Sequence, residues 1–170
     1  MKKSICLLLL LVGMLPATAQ DKSWLKGWHA EAGPMITVPI RYMHYYSVLG
    51  TGVDLAASRN ITGRIYAGAR INYAFFFGNG SVDGEEVNFN LFNAMADGYY
   101  LFDNNFLLGF SGGLGLTFNS YGTDLNFSRV FSAGYKLVTT KHDYVITAFF
   151  DQTNYQKNIG VRACMVLPIN

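Results

Sequence analysis

From Ile61 to Phe77 the odd positions read Ile61, Gly63, Ile65, Ala67, Ala69, Ile71, Tyr73, Phe75 and Phe77, and the even ones carry Thr62, Arg64, Tyr66, Gly68, Arg70 and Asn72. One face is apolar or small and the other holds two arginines. A period of two rather than 3.6 predicts a strand. At about 3.3 Å per residue, a run of this length crosses a bilayer even when tilted and is long for a soluble sheet.

The alternation recurs along the chain. Ile159, Val161, Ala163, Met165 and Leu167 alternate with Gly160, Arg162 and Cys164; Phe106, Leu108, Phe110, Leu114 and Leu116 with Gly109, Ser111, Gly113 and Gly115; Trp28, Ala30, Ala32 and Ile36 with His29, Glu31 and Thr37. In the fourth run Val87, Phe89 and Leu91 give way to Phe92, Ala94 and Ala96, which predicts a bulge and leaves Asp97 on the polar face. Runs are read at about 28–40, 47–57, 61–77, 86–102, 105–118, 124–138, 143–151 and 158–169.

The connections alternate too. Ser58-Arg59-Asn60, Asp103-Asn104 and Thr139–His142 are compact and carry residues that tolerate tight turns. Arg41–Tyr46, Gly78–Glu85, Asn119–Thr123 and Gln152–Lys157 are longer. Short turns at one end and longer loops at the other, with an even strand count, predict a transmembrane barrel with both termini and the turns on the periplasmic side. The expected fold is all-β, an eight-stranded antiparallel up-and-down transmembrane barrel over residues 28–170. Tyr73, Phe75, Phe77 and Phe118 fall where its outer aromatic girdle belongs, with Trp28 and Phe106 near the inner edge.

Lys2 and Lys3, the apolar run Ile5–Leu15 and Ala17-Thr18-Ala19 have the layout of a secretory signal peptide over residues 1–19, and residues 20–27 read as a short periplasmic segment. The apolar run is too short to span a bilayer, which takes roughly 20 residues. Cleavage removes two of the 13 Lys and Arg, which then equal the 11 Asp and Glu, so no nucleic-acid partner is expected. Of the two cysteines only Cys164 would remain, so no intrachain disulfide can form. The chain is 51% hydrophobic with 14% charged residues and has no second long apolar run, as an alternating membrane barrel requires.

The polar face of the runs holds His29, Glu31, Asp54, Arg64, Arg70, Asp97, Lys136 and Arg162. An eight-stranded barrel is just wide enough for side chains to fill, so these acids and bases predict a paired network that plugs the lumen. A gated ion path or a small polar ligand site is the sharper alternative. His29, His44 and His142 lack the spacing of a metal site, so neither metal nor cofactor is expected. Gly112-Gly113-Leu114-Gly115 sits inside an alternating strand with no helix after it and is no phosphate cradle. No catalytic residue is assigned.

This layout resembles the small eight-stranded outer-membrane barrels of the OmpA-, OmpX- and OmpW-like classes over residues 28–170. The resemblance implies a Gram-negative outer-membrane location, contact with outer-membrane lipid, a monomer, and loops open to an extracellular partner. Three functions follow. The first is a non-enzymatic barrel, structural or binding through its loops. The second is a lipid-modifying enzyme, since some barrels that resemble this one modify lipid A with a His and Ser or acidic partners; here the loops offer His44, Ser81, Asp83, Ser120 and Asp124. The third is a soluble lipocalin-like carrier with the apolar face turned inward around a hydrophobic ligand.

Overall fold

The structure, a computed structural model, describes residues 27–41, 47–78, 81–82, 85–86, 88–119, 122–153 and 156–169. The expected signal peptide, residues 20–26, and the loop residues His44, Asp83 and Ser120 lie outside these. The strands are β1 (Trp28–Arg41), β2 (Ser47–Thr62), β3 (Ile65–Gly78), β4 (Ser81–Val82), β5 (Glu85–Glu86), β6 (Phe89–Leu101), β7 (Phe106–Asn119), β8 (Gly122–Leu137), β9 (Asp143–Thr153) and β10 (Gln156–Ile169). Eight of them close a barrel in the order β1-β10-β9-β8-β7-β6-β3-β2, every neighbouring pair antiparallel; β4 and β5 form a separate small hairpin. Pairing of β1 with β10 leaves the barrel no edge, so the backbone polar groups of its strands find partners in the ladders, as hydrocarbon demands.

Alternation places the side chains. On β3 the positions Ile65, Ile71, Tyr73 and Phe77 point outward and are exposed, while Arg70, Asn72, Ala74 and Phe76 point inward and are buried. Leu114 is 57% exposed, Val161 52% and Ile36 55%, so the large aliphatic residues face away from the lumen. That overturns the lipocalin-like alternative, which needs the opposite polarity. Among the described residues no helix is long and apolar enough to cross a membrane, which says nothing of a β-barrel.

Three expectations are corrected. β2 runs on to Thr62 and absorbs Ser58-Arg59-Asn60, so the turn is Gly63-Arg64. Gly63 supplies the left-handed conformation there, with φ +52°, and its carbonyl accepts a hydrogen bond from Asn60 Nδ2 at 2.7 Å. Second, the bulge in the fourth run is absent: Phe89, Leu91, Asn93, Met95 and Asp97 all face the lumen in unbroken register with β3. Apolar side chains at Phe89 and Leu91 predict a lipid-facing phase, but this barrel also has an apolar interior layer. Third, Asn119 pairs with Gly122 and Thr153 with Gln156, which reduces two of the four expected long loops to two residues each. Backbone pairing continues through these polar stretches because it needs no apolar side chain.

Candidate functional site

The inward residues of β3 and β6 form a ladder that sets the order of the lumen. From the end that carries the termini it runs Tyr66 opposite Tyr99, Gly68 opposite Asp97, Arg70 opposite Met95, Asn72 opposite Asn93, Ala74 opposite Leu91 and Phe76 opposite Phe89. An aromatic pair is followed by charge, then amides, then an apolar layer.

Charge centres on Arg70. Its guanidinium donates to Glu31 at 3.0 Å, to Asp97 at 3.1 Å, and to Asp54. Arg162 donates through Nη1 to the other Asp54 oxygen at 3.3 Å and through Nε to Thr147 at 2.8 Å, with its guanidinium 5.6 Å from the centre of the Phe149 ring. Ser111 donates to Asp97 at 2.5 Å. These side chains come from β1, β2, β3, β6, β7, β9 and β10, and all are buried, so the network ties nearly the whole circumference together. Planar forked donors suit Arg70 to three carboxylates at once. Two arginines face three acids, and the sheet lies between them and bulk water.

A second polar layer was not singled out in the sequence. Asp151 accepts hydrogen bonds from Ser128, Thr153 and Asn93, each at 3.1 Å, and Asn93 also donates to Asn72 at 3.0 Å. Among the described residues no cation pairs with Asp151. The available signal was phase: Asp151 continues the inward series Val145, Thr147, Phe149. Gly115 makes room for this layer, since a Cβ there would meet Asn93 Oδ1 and Thr153 Cγ2 at 2.7 Å. Next comes the apolar layer of Ala74, Phe76, Phe89 and Leu91, part of a buried apolar cluster that also takes in Met35, Met95, Val130 and Phe149. The Phe76 and Phe89 rings stack with centres 4.2 Å apart, both fully buried.

Of the eight residues expected in the luminal network, Glu31, Asp54, Arg70, Asp97 and Arg162 meet in it. Arg64 does not: it lies in the β2–β3 turn and pairs with Asp103 at 2.6 Å, both side chains exposed. An even position at a strand end keeps the phase of the polar face while the backbone has already left the barrel. His29 and Lys136 sit at the lumen mouth, in a recess of about 250 Å³ shared with Lys141, His142 and Asp143, where Lys136 pairs with Asp143 at 2.8 Å. His29 lies beside Tyr66, which stacks on Tyr99 at 4.7 Å. No group of three His, Cys, Asp or Glu among the described residues is arranged to hold a metal.

The expected girdle residues divide between the two ends. Tyr73 faces Phe118 at 6.5 Å and donates its hydroxyl to Asn90, and Phe75 meets Phe77 edge-on at 5.1 Å. Phe106 packs between Phe102 and Tyr135 at 5.7 and 5.3 Å, and Trp28 opens β1 at the same end. Phe89, in the apolar phase of the fourth run, is inside the barrel rather than at this outer edge.

Solved structures share this architecture. Neisserial surface protein A aligns over 85% of this chain and 98% of its own, with a TM-score of 0.60 and 15% identity. The fold is that of a small eight-stranded outer-membrane barrel. Ail, the attachment invasion locus protein of Yersinia pestis, aligns over 83% of this chain and 97% of its own at a TM-score of 0.54 and 13% identity. The N-terminal barrel domain of Pseudomonas aeruginosa OprF covers 84% and 98% at 0.50 and 14%. At such identities the likeness is one of fold. No family model and no curated protein matches the barrel's sequence.

Proposed function

We propose that the protein is a monomeric outer-membrane barrel with a closed lumen and a non-enzymatic role, either structural or in binding an external partner through its loops. The observation that carries this reading is the filling of the lumen: the stacked Phe76 and Phe89, both fully buried, occupy one level, and the Arg70 network occupies the level beneath the amide layer. An apolar plug opposes conduction because a dewetted constriction repels ions. The acids of the Arg70 network are bound to arginine, so they are engaged in structure rather than free for proton transfer. Location is supported by the outward apolar belt and by the secretory layout of residues 1–19. The longer connections, residues 42–46 and 79–88, are the segments that would meet an external partner.

Membrane fractionation with surface proteolysis tests location and orientation together. The full chain is expected in the outer membrane, cleaved in whole cells only within residues 42–46 and 79–88. Cleavage in whole cells at Gly63-Arg64 would reverse the orientation. In planar bilayers the folded barrel is expected to be electrically silent, and steady single-channel conductance overturns the closed lumen.

A further inference from the structure

Asp151 is 3% exposed on the inner face of β9 and accepts three hydrogen bonds, two at Oδ1 from Ser128 and Thr153 and one at Oδ2 from Asn93. Three donors on one carboxyl suit the ionised, acceptor-only group, and a lone pair on Oδ2 is left over. All three donors are neutral. Among the described residues four buried carboxylates face two buried guanidinium groups, and Glu31, Asp54 and Asp97 engage both of those. Arg162 stands four residues beyond Asn158, the residue opposite Asp151, about 13 Å along β10. No described cation therefore balances Asp151, and burying an ionised carboxylate unpaired costs far more than losing a hydrogen bond.

The neighbouring amides are unsatisfied in a matching sense. Asn158, paired with Asp151 across the β9–β10 ladder, is 1% exposed, and among the described residues its carbonyl Oδ1 accepts no hydrogen bond. Asn93 is fully buried; its Nδ2 donates to both Asp151 and Asn72, while its Oδ1 likewise lacks a donor. Two carbonyls that are costly to bury without a partner thus stand beside a carboxylate with a lone pair to spare. They belong to β6, β9 and β10, so the three oxygens converge from different sides of the lumen.

We infer that the amide layer is a binding site for one small monovalent cation of the sodium kind, held between the Asp151 carboxylate and the carbonyls of Asn93 and Asn158. Carboxylate and amide oxygens are the donors that hard cations take, unlike the imidazoles and thiolates that select zinc or copper. Calcium sites gather several carboxylates, whereas this layer has one, and a single positive charge balances it. Gln156, one inward step nearer the loop end of β10, has an Nε2 without a partner and can donate to a water in the ion's shell. The Phe76–Phe89 layer lies on one side and the Arg70 network on the other, so the ion is taken up as the lumen closes around it.

The test is equilibrium urea unfolding of the full chain in lipid vesicles, each sample refolded in sodium chloride or in choline chloride at the same total ionic strength. Sodium is expected to raise the midpoint. Well above the dissociation constant, each tenfold rise in sodium should raise the folded-to-unfolded ratio about tenfold, the mark of one ion bound per folded chain. Asp151→Asn, close in shape and without the charge, should fold and lose the sodium dependence. Asn158→Ala keeps the charge and should move the sodium curve to higher concentration; heat-modifiable gel mobility checks that each variant folds. Sodium dependence that persists in Asp151→Asn, or is unmoved in Asn158→Ala, overturns the site. So does a wild-type barrel indifferent to sodium whose infrared spectrum holds a protonated-carboxyl stretch that Asp151→Asn removes, since a proton then does the work assigned to the ion.

Discussion

Arg70 donates to Asp97 at 3.1 Å although the β3–β6 ladder sets Asp97 opposite Gly68 and Arg70 opposite Met95. The ion pair is therefore diagonal, one inward step along the sheet. Gly68 has no side chain to stand between them, and the same guanidinium is free to reach Asp54 and Glu31 on the other side. A diagonal contact within reach of a long side chain fixes the strand register as well as the charge.

Arg70→Leu strands three buried carboxylates, of which Arg162 compensates only Asp54. The expected loss is about 3–5 kcal/mol of unfolding free energy, the cost of breaking a buried pair by removing one partner. Urea unfolding in lipid vesicles, followed by tryptophan fluorescence, measures it. Arg70→Lys should recover only part of the loss, because a point charge cannot fork to three carboxylates.

Arg64→Ala, by contrast, should leave the unfolding midpoint where it is. Its pair with Asp103 is exposed at both ends, and solvent replaces it. A midpoint drop comparable to that of Arg70→Leu would contradict the placement of Arg64 in the turn.

Gly115→Val places a branched side chain where Asn93 and Thr153 already stand. Overpacking of this kind costs about 1–3 kcal/mol. The same unfolding assay reads it, and an unchanged stability would mean that the amide layer has free space.

Phe89→Ala removes half of the stacked pair in the apolar layer of the lumen. A loss of about 3–5 kcal/mol is expected for a buried Phe→Ala change. If the apolar layer is the seal, the variant also shows brief conductance events in planar bilayers while wild type shows none.

Leu114→Arg tests which side of the wall faces lipid. At the middle of β7 a lipid-facing arginine costs about 2–4 kcal/mol near the bilayer midplane, and Leu114 is 57% exposed on that face. A nitroxide at the same position should be quenched by oxygen rather than by a water-soluble nickel complex; the reverse accessibility would refute the outward assignment.

By itself the sequence determined the strand character, the number of barrel strands and, for most of them, which face is which, because alternation with period two is a local property written residue by residue. It also marked Glu31, Asp54, Arg70, Asp97 and Arg162 as charges on the enclosed face. It could not say where a strand stops, since Arg64 keeps the phase of Arg70 yet belongs to a turn, and Gln152, Thr153, Gln156 and Lys157 are polar yet stay paired. Tertiary structure alone decided that Phe89 and Leu91 face inward, that Phe76 stacks on Phe89, that Arg70 rather than Arg162 is the hub, and that Asp151 joins Asn93 and Ser128. The physical reason is closure: which side chains meet across the lumen depends on pairings between strands far apart in the chain, and no window of sequence contains both partners.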